Sequence, residues 1–275
     1  MAIITLTTDL GLKDHFVGVL KGKILGKFPE AIIVDISHHI DPFNIVQGYY
    51  VLQASYHHFP KGTVHFIGID TEKNVENKHV ALLLDGHYFV GSDNGFMNML
   101  AQKVVPERMV EINLHNDNAA EFSDVDALIT TSIHLARGGV LSLVGKPLNH
   151  LKEVLFMPAK YAEDQNLLTG IVIYIDHFGN AVTNITKSLF ENVRAGRSFV
   201  IEKKPFIIKR ILKKYSEIMT NDQETLKSYE GKELAIFNEA GFLEIAIFRS
   251  NPNTVGSANS LLGLEISDQI NIKFN

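Results

Sequence analysis

The feature that most constrains this 275-residue chain is a change of periodicity near Gly145-Lys146-Pro147. Before it, short β-branched runs alternate with segments whose apolar residues recur every three or four positions; after it, strand-like runs follow one another with little helical spacing between them. An alternating half predicts a largely parallel sheet covered by helices, because parallel neighbours need a long crossover and a helix is its usual form. A half made of strands predicts an antiparallel sandwich or barrel. The expected fold class is therefore α/β: an N-terminal α/β domain with a mostly parallel sheet over 1–150, a linker over 151–167, and a smaller C-terminal antiparallel β-barrel domain over 168–275.

In the first half, 3–7 reads as a strand that stops at Asp9-Leu10-Gly11. Asp14 reads as the N-cap of a helix whose apolar stripe is Phe16, Leu20, Ile24 and Phe28, ended by Pro29. Strands are expected over 31–36 and 63–69, and a hairpin over 79–84 and 87–90 about Asp85-Gly86. Asp41-Pro42 reads as a turn or helix start ahead of Ile45, Val46, Tyr49 and Leu52, and helices are expected over 94–103 and 124–137. In the second half an irregular stretch to about Asn166 precedes strands over 170–175, 181–185, 206–211, 234–237, 242–248 and 269–273, with a polar excursion over 221–231.

Composition removes several functions. With 26 Lys+Arg against 31 Asp+Glu the net charge is −5, which argues against a nucleic-acid partner. No cysteine is present, so disulfides, thiolate metal sites and a cysteine nucleophile are all excluded. The start carries no basic segment followed by an apolar one, and no run approaches the roughly 20 apolar residues of a membrane span; a cytoplasmic chain with no membrane partner is expected. The adjacent pairs His38-His39 and His57-His58 diverge on strand or helix, no HExxH occurs, and no metal site is expected. GxGxxG and GxSxG are absent, and 139–146 fails as a phosphate loop because its glycines are one residue too far apart and Pro147 stands where Ser or Thr is required.

Acids and amides cluster at expected strand ends. Asp9 and Asp70 each follow a strand, and Asp93-Asn94-Gly95 follows another. In an open α/β sheet ligands bind outside the carboxyl ends of the strands, so these groups are candidates for one crevice. They are equally good caps and turn residues. A second cluster, Asp176-His177-Phe178-Gly179-Asn180, joins two strands of the other half. It reads either as a plain hairpin turn or as hydrogen-bonding groups beside a ring, suited to a zwitterionic or nucleoside ligand.

The ordered motifs resemble the S-adenosyl-L-methionine hydroxide adenosyltransferase family, which also contains the bacterial fluorinase and chlorinase. They are Thr7-Thr8-Asp9-Leu10-Gly11, Asp14-x-Phe16-Val17-Gly18-x-x-Lys21-Gly22, Val34-Asp35-Ile36-Ser37-His38 and Phe59-Pro60-x-Gly62-Thr63-Val64. Asp93-Asn94-Gly95, His134-Leu135-Ala136-x-Gly138, Asp176-His177-Phe178-Gly179-Asn180-x-x-Thr183-Asn184 and Gly241-Phe242-Leu243-Glu244-Ile245-Ala246 continue them over nearly the whole chain. The resemblance implies a homotrimer whose ligand lies between the N-terminal domain of one subunit and the C-terminal domain of the next. It implies displacement of methionine at C5′ of S-adenosylmethionine, with that molecule as substrate and no cofactor. By the same resemblance Asp9 grips the ribose hydroxyls, Phe43 lies against ribose or adenine, Tyr215 stacks on adenine, and Asp176 and Asn180 hold the methionine amino and carboxylate groups. Asn94 and Phe178, inside matching motifs, complete the expected substrate-binding set.

The chain also departs from the pattern. The hydroxide branch orients water with an Asp–Arg–His set; Asp70 matches the Asp, the Arg position falls on Asn77 and the His position on Ser123. Thr71-Glu72-Lys73-Asn74 replaces the usual Pro-Gly-Val-Gly, and Lys78 and His79 are the neighbours that could stand in for the lost cation. Where halogenases present a Ser to the halide this chain has Asp124, whose carboxylate would repel an anion. The expected activity is hydrolysis to adenosine and L-methionine with Asp70 orienting the water. The alternative is a protein that binds S-adenosylmethionine or adenosine with weak turnover or none.

Overall fold

The computed structural model describes residues 2–114, 124–154, 157–219 and 225–275, and of Asp124 the backbone only. Its chain divides into two units, Met1–Phe156 and Met157–Asn275.

In the first unit the elements run β1 (Ile3–Thr8), α1 (Phe16–Lys27), β2 (Ile32–Ser37), α2 (Ile45–Gln53), β3 (Val64–Gly68), β4 (His79–Leu84), β5 (His87–Ser92), α3 (Phe96–Ala101), β6 (Arg108–Ile112), α4 (Asp124–Ala136) and β7 (Gly145–Pro147). They form a sheet of order β2-β1-β3-β5-β4-β6-β7. β1 pairs in parallel with β2 and β3, and β3 with β5; β4, β6 and β7 join antiparallel. The parallel half explains why every residue of β1 and β3 is buried, because both faces of such strands are covered. One face packs Leu20, Ile24 and Phe28 of the α1 segment with Leu128, Ile129 and Ile133 of α4. The other packs Tyr49 and Leu52 of α2 with Phe96, Met97 and Leu100 of α3. The expected hairpin is present: Asp85 and Gly86 hold φ of 49° and 69°, the two positive values that a type I′ turn needs.

The start of α1 differs from expectation. His15, not Asp14, is the N-cap residue, and it makes no side-chain cap. Phe16 is 48% exposed, and the buried stripe is Val17, Leu20, Ile24 and Phe28. A helix beginning at Phe16 puts Val17, Leu20 and Ile24 on one face at 3- and 4-residue steps, leaving Phe16 at its edge.

The second unit runs β8 (Lys160–Ala162), β9 (Leu167–Ile175), β10 (Ala181–Thr186), α5 (Lys187–Arg194), β11 (Phe199–Lys203), β12 (Phe206–Ile208), β13 (Ile211–Leu212), β14 (Glu233–Phe237), β15 (Phe242–Ile247), α6 (Ala258–Leu262) and β16 (Gln269–Phe274). The strand order is β12-β11-β16-β9-β10-β15-β14-β13, with β8 added to β9. All pairings are antiparallel except β13 with β14, and β12 also lies against β14, so the sheet curls into a nearly closed barrel. Its core gathers Val172, Ile185, Phe190, Ile201, Ile245 and Ile272.

Several elements here depart from the sequence reading. β8 and β11 are additional strands, the expected strand over 206–211 is split into β12 and β13, and α5 and α6 are helical. α5 is capped by the Thr186 hydroxyl, which accepts from the N–H of Leu189 at 3.2 Å, and of its residues only Phe190 is buried. One buried ring per eight residues leaves no apolar period to read. Among the described residues no helix is long and apolar enough to cross a membrane.

Candidate active site

Because β1, β3 and β5 run parallel, their carboxyl ends open on the same edge of the sheet, and the residues that follow them are Asp9, Asp70 and Asp93-Asn94. The N–H of Asp9 donates to the carbonyl of Gly68 at 3.3 Å, tying the first two ends together. Asp9 Oδ2 accepts the backbone N–H of Phe43 at 2.9 Å. Phe43 holds a left-handed φ of 63°, and its side chain is 71% exposed. Asn94 faces inward: its Nδ2 donates to the carbonyl of Ile69 at 2.9 Å and its Oδ1 accepts the N–H of Phe96 at 3.2 Å. These two bonds join the ends of β3 and β5 and start α3.

Asp70 stands in a left-handed turn at φ 47°. Its Oδ2 accepts from Asn77 Nδ2 at 3.2 Å. The loop between them is an Asx turn: Asn74 Oδ1 accepts the N–H groups of Glu76 at 2.8 Å and Asn77 at 2.9 Å. The segment that departs from the family pattern is thus what holds Asn77. Of the two expected substitutes for the missing cation, Lys78 bonds Glu111 Oε2 at 2.8 Å and His79 Nε2 faces the carbonyl of Thr71 at 2.9 Å. The cation that reaches Asn77 is Lys152, whose Nζ donates to Asn77 Oδ1 at 3.0 Å. Its backbone N–H donates to Asp93 Oδ1 at 2.9 Å. Burial pushes the Asp93 carboxyl above its ordinary range, against the pull of the Lys152 N–H and charge. Lys152 is set in place by its neighbours Leu148, Leu151 and Val154, which pack against the α2–α3 core. Val154 fits because residue 95 is glycine, at φ 104°; a Cβ there would stand 2.1 Å from Val154 Cγ1.

No sequence signal marked Lys152, which lies 75 positions from its partner. Ser123, the expected His position, lies outside the described residues, as does the side chain of Asp124.

In the second unit the 176–180 segment is a tight turn and a polar cluster at once. The N–H of Gly179, at φ 75°, donates to the carbonyl of Asp176 at 2.9 Å. Asp176 accepts from the Asn180 backbone N–H at 2.8 Å and from Asn180 Nδ2 at 3.1 Å. Asn180, only 3% exposed, accepts at Oδ1 from the N–H of Ile247 at 3.3 Å and from Ser250 Oγ at 3.2 Å. Phe178 is 57% exposed beside it.

A cavity of about 310 Å³ opens here, lined by Phe178, Asn180, Tyr215, Ile247, Phe248, Arg249 and Ser250. Tyr215 donates its hydroxyl to Glu244 Oε1 at 2.5 Å, and Asn238 Nδ2 donates to Glu244 Oε2 at 3.3 Å. Burial pushes the Glu244 carboxyl up, partly offset by the Tyr215 bond. Rings and aliphatic walls with a few convergent polar groups suit a planar ligand that carries charged ends. Arg249 and Ser250 were missed by sequence reasoning, although they follow β15 as Asp9 and Asp70 follow their strands. Among the described residues no three His, Asp or Glu side chains are grouped to hold a metal ion.

Comparison with known proteins agrees over the whole chain. Residues 4–145 match the model of the SAM hydroxide adenosyltransferase N-terminal domain, and residues 170–271 match that of the C-terminal domain. The chain is 32% identical to a protein of Methanocaldococcus jannaschii named (R)-S-adenosyl-L-methionine hydrolase, covering 98% of this chain and 95% of the relative. It is 26% identical to a fluorinase of an Actinoplanes species, covering 70% and 75% of the two chains. The solved structure of an uncharacterized conserved protein from Thermotoga maritima superposes with a TM-score of 0.82 at 28% identity, covering 98% of this chain and 99% of the other. The two domain models, in order and over most of the chain, leave one conclusion: the chain belongs to the SAM hydroxide adenosyltransferase family.

Proposed function

We propose that this protein hydrolyses S-adenosyl-L-methionine to adenosine and L-methionine. The observation that carries the reading is the pairing of Asp9 with Asp70 at the ends of two adjacent parallel strands, tied by the Asp9 N–H on the Gly68 carbonyl. Two acceptor oxygens on Asp9 suit a vicinal diol, and the ring of Phe43, exposed beside it, suits the ribose or adenine face. Asp70 then stands one strand away to orient the attacking water. The name of the Methanocaldococcus relative supports the same chemistry.

In the reaction the water oxygen forms a bond to C5′ as the C5′–S bond breaks. The electron pair of that bond stays on sulfur, which turns the sulfonium into the neutral thioether of methionine. The water loses one proton to solvent, so the products are adenosine, methionine and a proton. The leaving group is already activated, and most of the acceleration comes from holding water in line and excluding its competitors. No cofactor takes part.

The methionine portion binds the second unit: Asp176 and Asn180 take its amino and carboxylate groups, Arg249 adds a cation for the carboxylate, and Phe178 and Tyr215 supply the ring surfaces. We infer that the site is completed by a neighbouring subunit in a homotrimer. The outward face of α1 supports assembly: Gly18, Gly22 and Gly26 line it with open space above them, flanked by exposed Phe16, Val19 and Leu25.

Incubation with S-adenosylmethionine, followed by chromatography for adenosine and calorimetry for binding, tests the reading. Adenosine release that is lost in Asp70→Ala is the expected result. Tight binding without release overturns hydrolysis in favour of a binding protein.

A further inference from the structure

We propose that Lys152 is the positioning cation of this site, acting on Asp70 through the side-chain amide of Asn77. The inference rests on the hydrolase reading and adds to it the residue that replaces the family arginine.

The chain of bonds is continuous: Lys152 Nζ to Asn77 Oδ1 at 3.0 Å, then Asn77 Nδ2 to Asp70 Oδ2 at 3.2 Å. The amide can point only one way. Reversed, it would set its oxygen against a carboxylate and its NH₂ against an ammonium. Both links therefore involve an ionised group, and each polarises the amide in the direction that strengthens the other. Asn77 is 9% exposed, so the amide that joins the two charges is poorly hydrated, where such bonds weigh more than in water, while Asp70 is half-buried and Lys152 is exposed to solvent.

The geometry assigns a task to each oxygen of Asp70. Oδ2 is held by Asn77, while Oδ1 accepts no hydrogen bond among the described residues and is left for the water. A guanidinium at position 77 would fix the carboxylate directly. A lysine cannot copy that fork, but an ammonium that grips a rigid amide gives the carboxylate a charge-assisted donor at a fixed place.

Lys78 and Asp93 are the charged neighbours whose partners are seen beside this chain. Lys78 is paired with Glu111; Asp93 accepts the backbone N–H of Lys152 and feels its charge, while the hydrogen bond of the ammonium goes to Asn77 Oδ1. The backbone at Lys152 is held in place, because Leu151 and Val154 on either side of it are packed against the core.

The test compares wild type, K152Q, K152R and N77R/K152Q for adenosine formed from S-adenosylmethionine, with kcat and KM measured separately. K152Q is expected to lower kcat at least about tenfold with KM within about twofold, and K152R to retain more of kcat than K152Q. N77R/K152Q, which rebuilds a direct cation on Asp70, is expected to recover part of the loss. Should K152Q not fold, N77L, which deletes both bonds and leaves the packing of Lys152 alone, is expected to show the same loss of kcat. A wild-type kcat in K152Q, or a loss confined to KM, overturns the role of Lys152 while hydrolysis stands. A wild-type protein that releases no adenosine overturns the hydrolase reading itself, before any substitution is compared, and the role of Lys152 falls with it.

Discussion

The backbone N–H of Phe43 is bonded to Asp9 Oδ2 at 2.9 Å, from a residue held at φ 63° with its ring turned to solvent. A bulky residue in the left-handed region costs on the order of 1–2 kcal/mol, and glycine there costs nothing. The conformation is kept with a phenylalanine, which points to use of the ring. Phe43→Gly preserves the N–H and relieves the strain. It is expected to leave thermal stability equal or raised by up to about 1 kcal/mol, while S-adenosylmethionine affinity weakens by about tenfold in calorimetry. Unchanged affinity in that variant contradicts a binding role for the ring.

Glu244 gives a pH signature to the second unit. Burial raises its carboxyl above the ordinary 4.5, so the folded chain holds its proton at pH values where the unfolded chain has lost it. Stability from this group is fully present below 4.5 and declines as pH rises through the raised value. Glu244→Gln carries the neutral form permanently. Urea unfolding across pH 4 to 8 is expected to show a flatter profile for the variant than for wild type, and identical slopes would contradict the assignment.

The first unit has the opposite dependence. His65 is buried, with Nδ1 2.7 Å from Thr5 Oγ1 and Nε2 3.2 Å from His87 Nδ1. Burial first, then the neighbouring His87, pushes it down to about 3 from 6.5. His87 is itself lowered, by burial and by Lys61 against the pull of Asp85, with His57 adding to the lowering; the ring of Tyr56 closes over both histidines. Stability from His65 is present above 6.5 and is lost as pH falls toward 3, because the unfolded chain takes up a proton that the folded one refuses. His65→Gln is expected to flatten the acid limb of the unfolding profile, whatever its effect at neutral pH.

Assembly is testable on α1. A Cβ at Gly22 meets nothing within 4 Å in the single chain, and glycine inside a helix costs roughly 0.5–1 kcal/mol relative to alanine. Gly22→Glu therefore favours the folded monomer. Light scattering is expected to give three chain masses for wild type and one for the variant, with unchanged circular dichroism. A wild-type monomer at micromolar concentration contradicts the trimer.

Features set by neighbouring residues were readable from the sequence. The Asp85-Gly86 turn and the acids at the ends of β1, β3 and β5 depend on local chemistry, and each stands where the pattern put it. Asp176 and Asn180 are legible for the same reason, since the turn between them is five residues long. Features set by packing were not readable. Whether Asp14 or His15 caps α1 depends on where the chain leaves β1, and α5 shows only one buried side chain. Lys152 reaches Asn77 because residues 148–154 cross the α2–α3 core, and Ser250 reaches Asn180 because β15 pairs with β10. Long-range placement of this kind leaves no trace in spacing.

The most direct measurement of the central claim is turnover of S-adenosylmethionine in ¹⁸O-labelled water, with mass analysis of both products. Attack of water at C5′ predicts adenosine and methionine in equal amounts, with the label in the 5′-hydroxyl of adenosine and none in methionine. Adenosine without label, or no adenosine from a protein that binds the substrate, would contradict it.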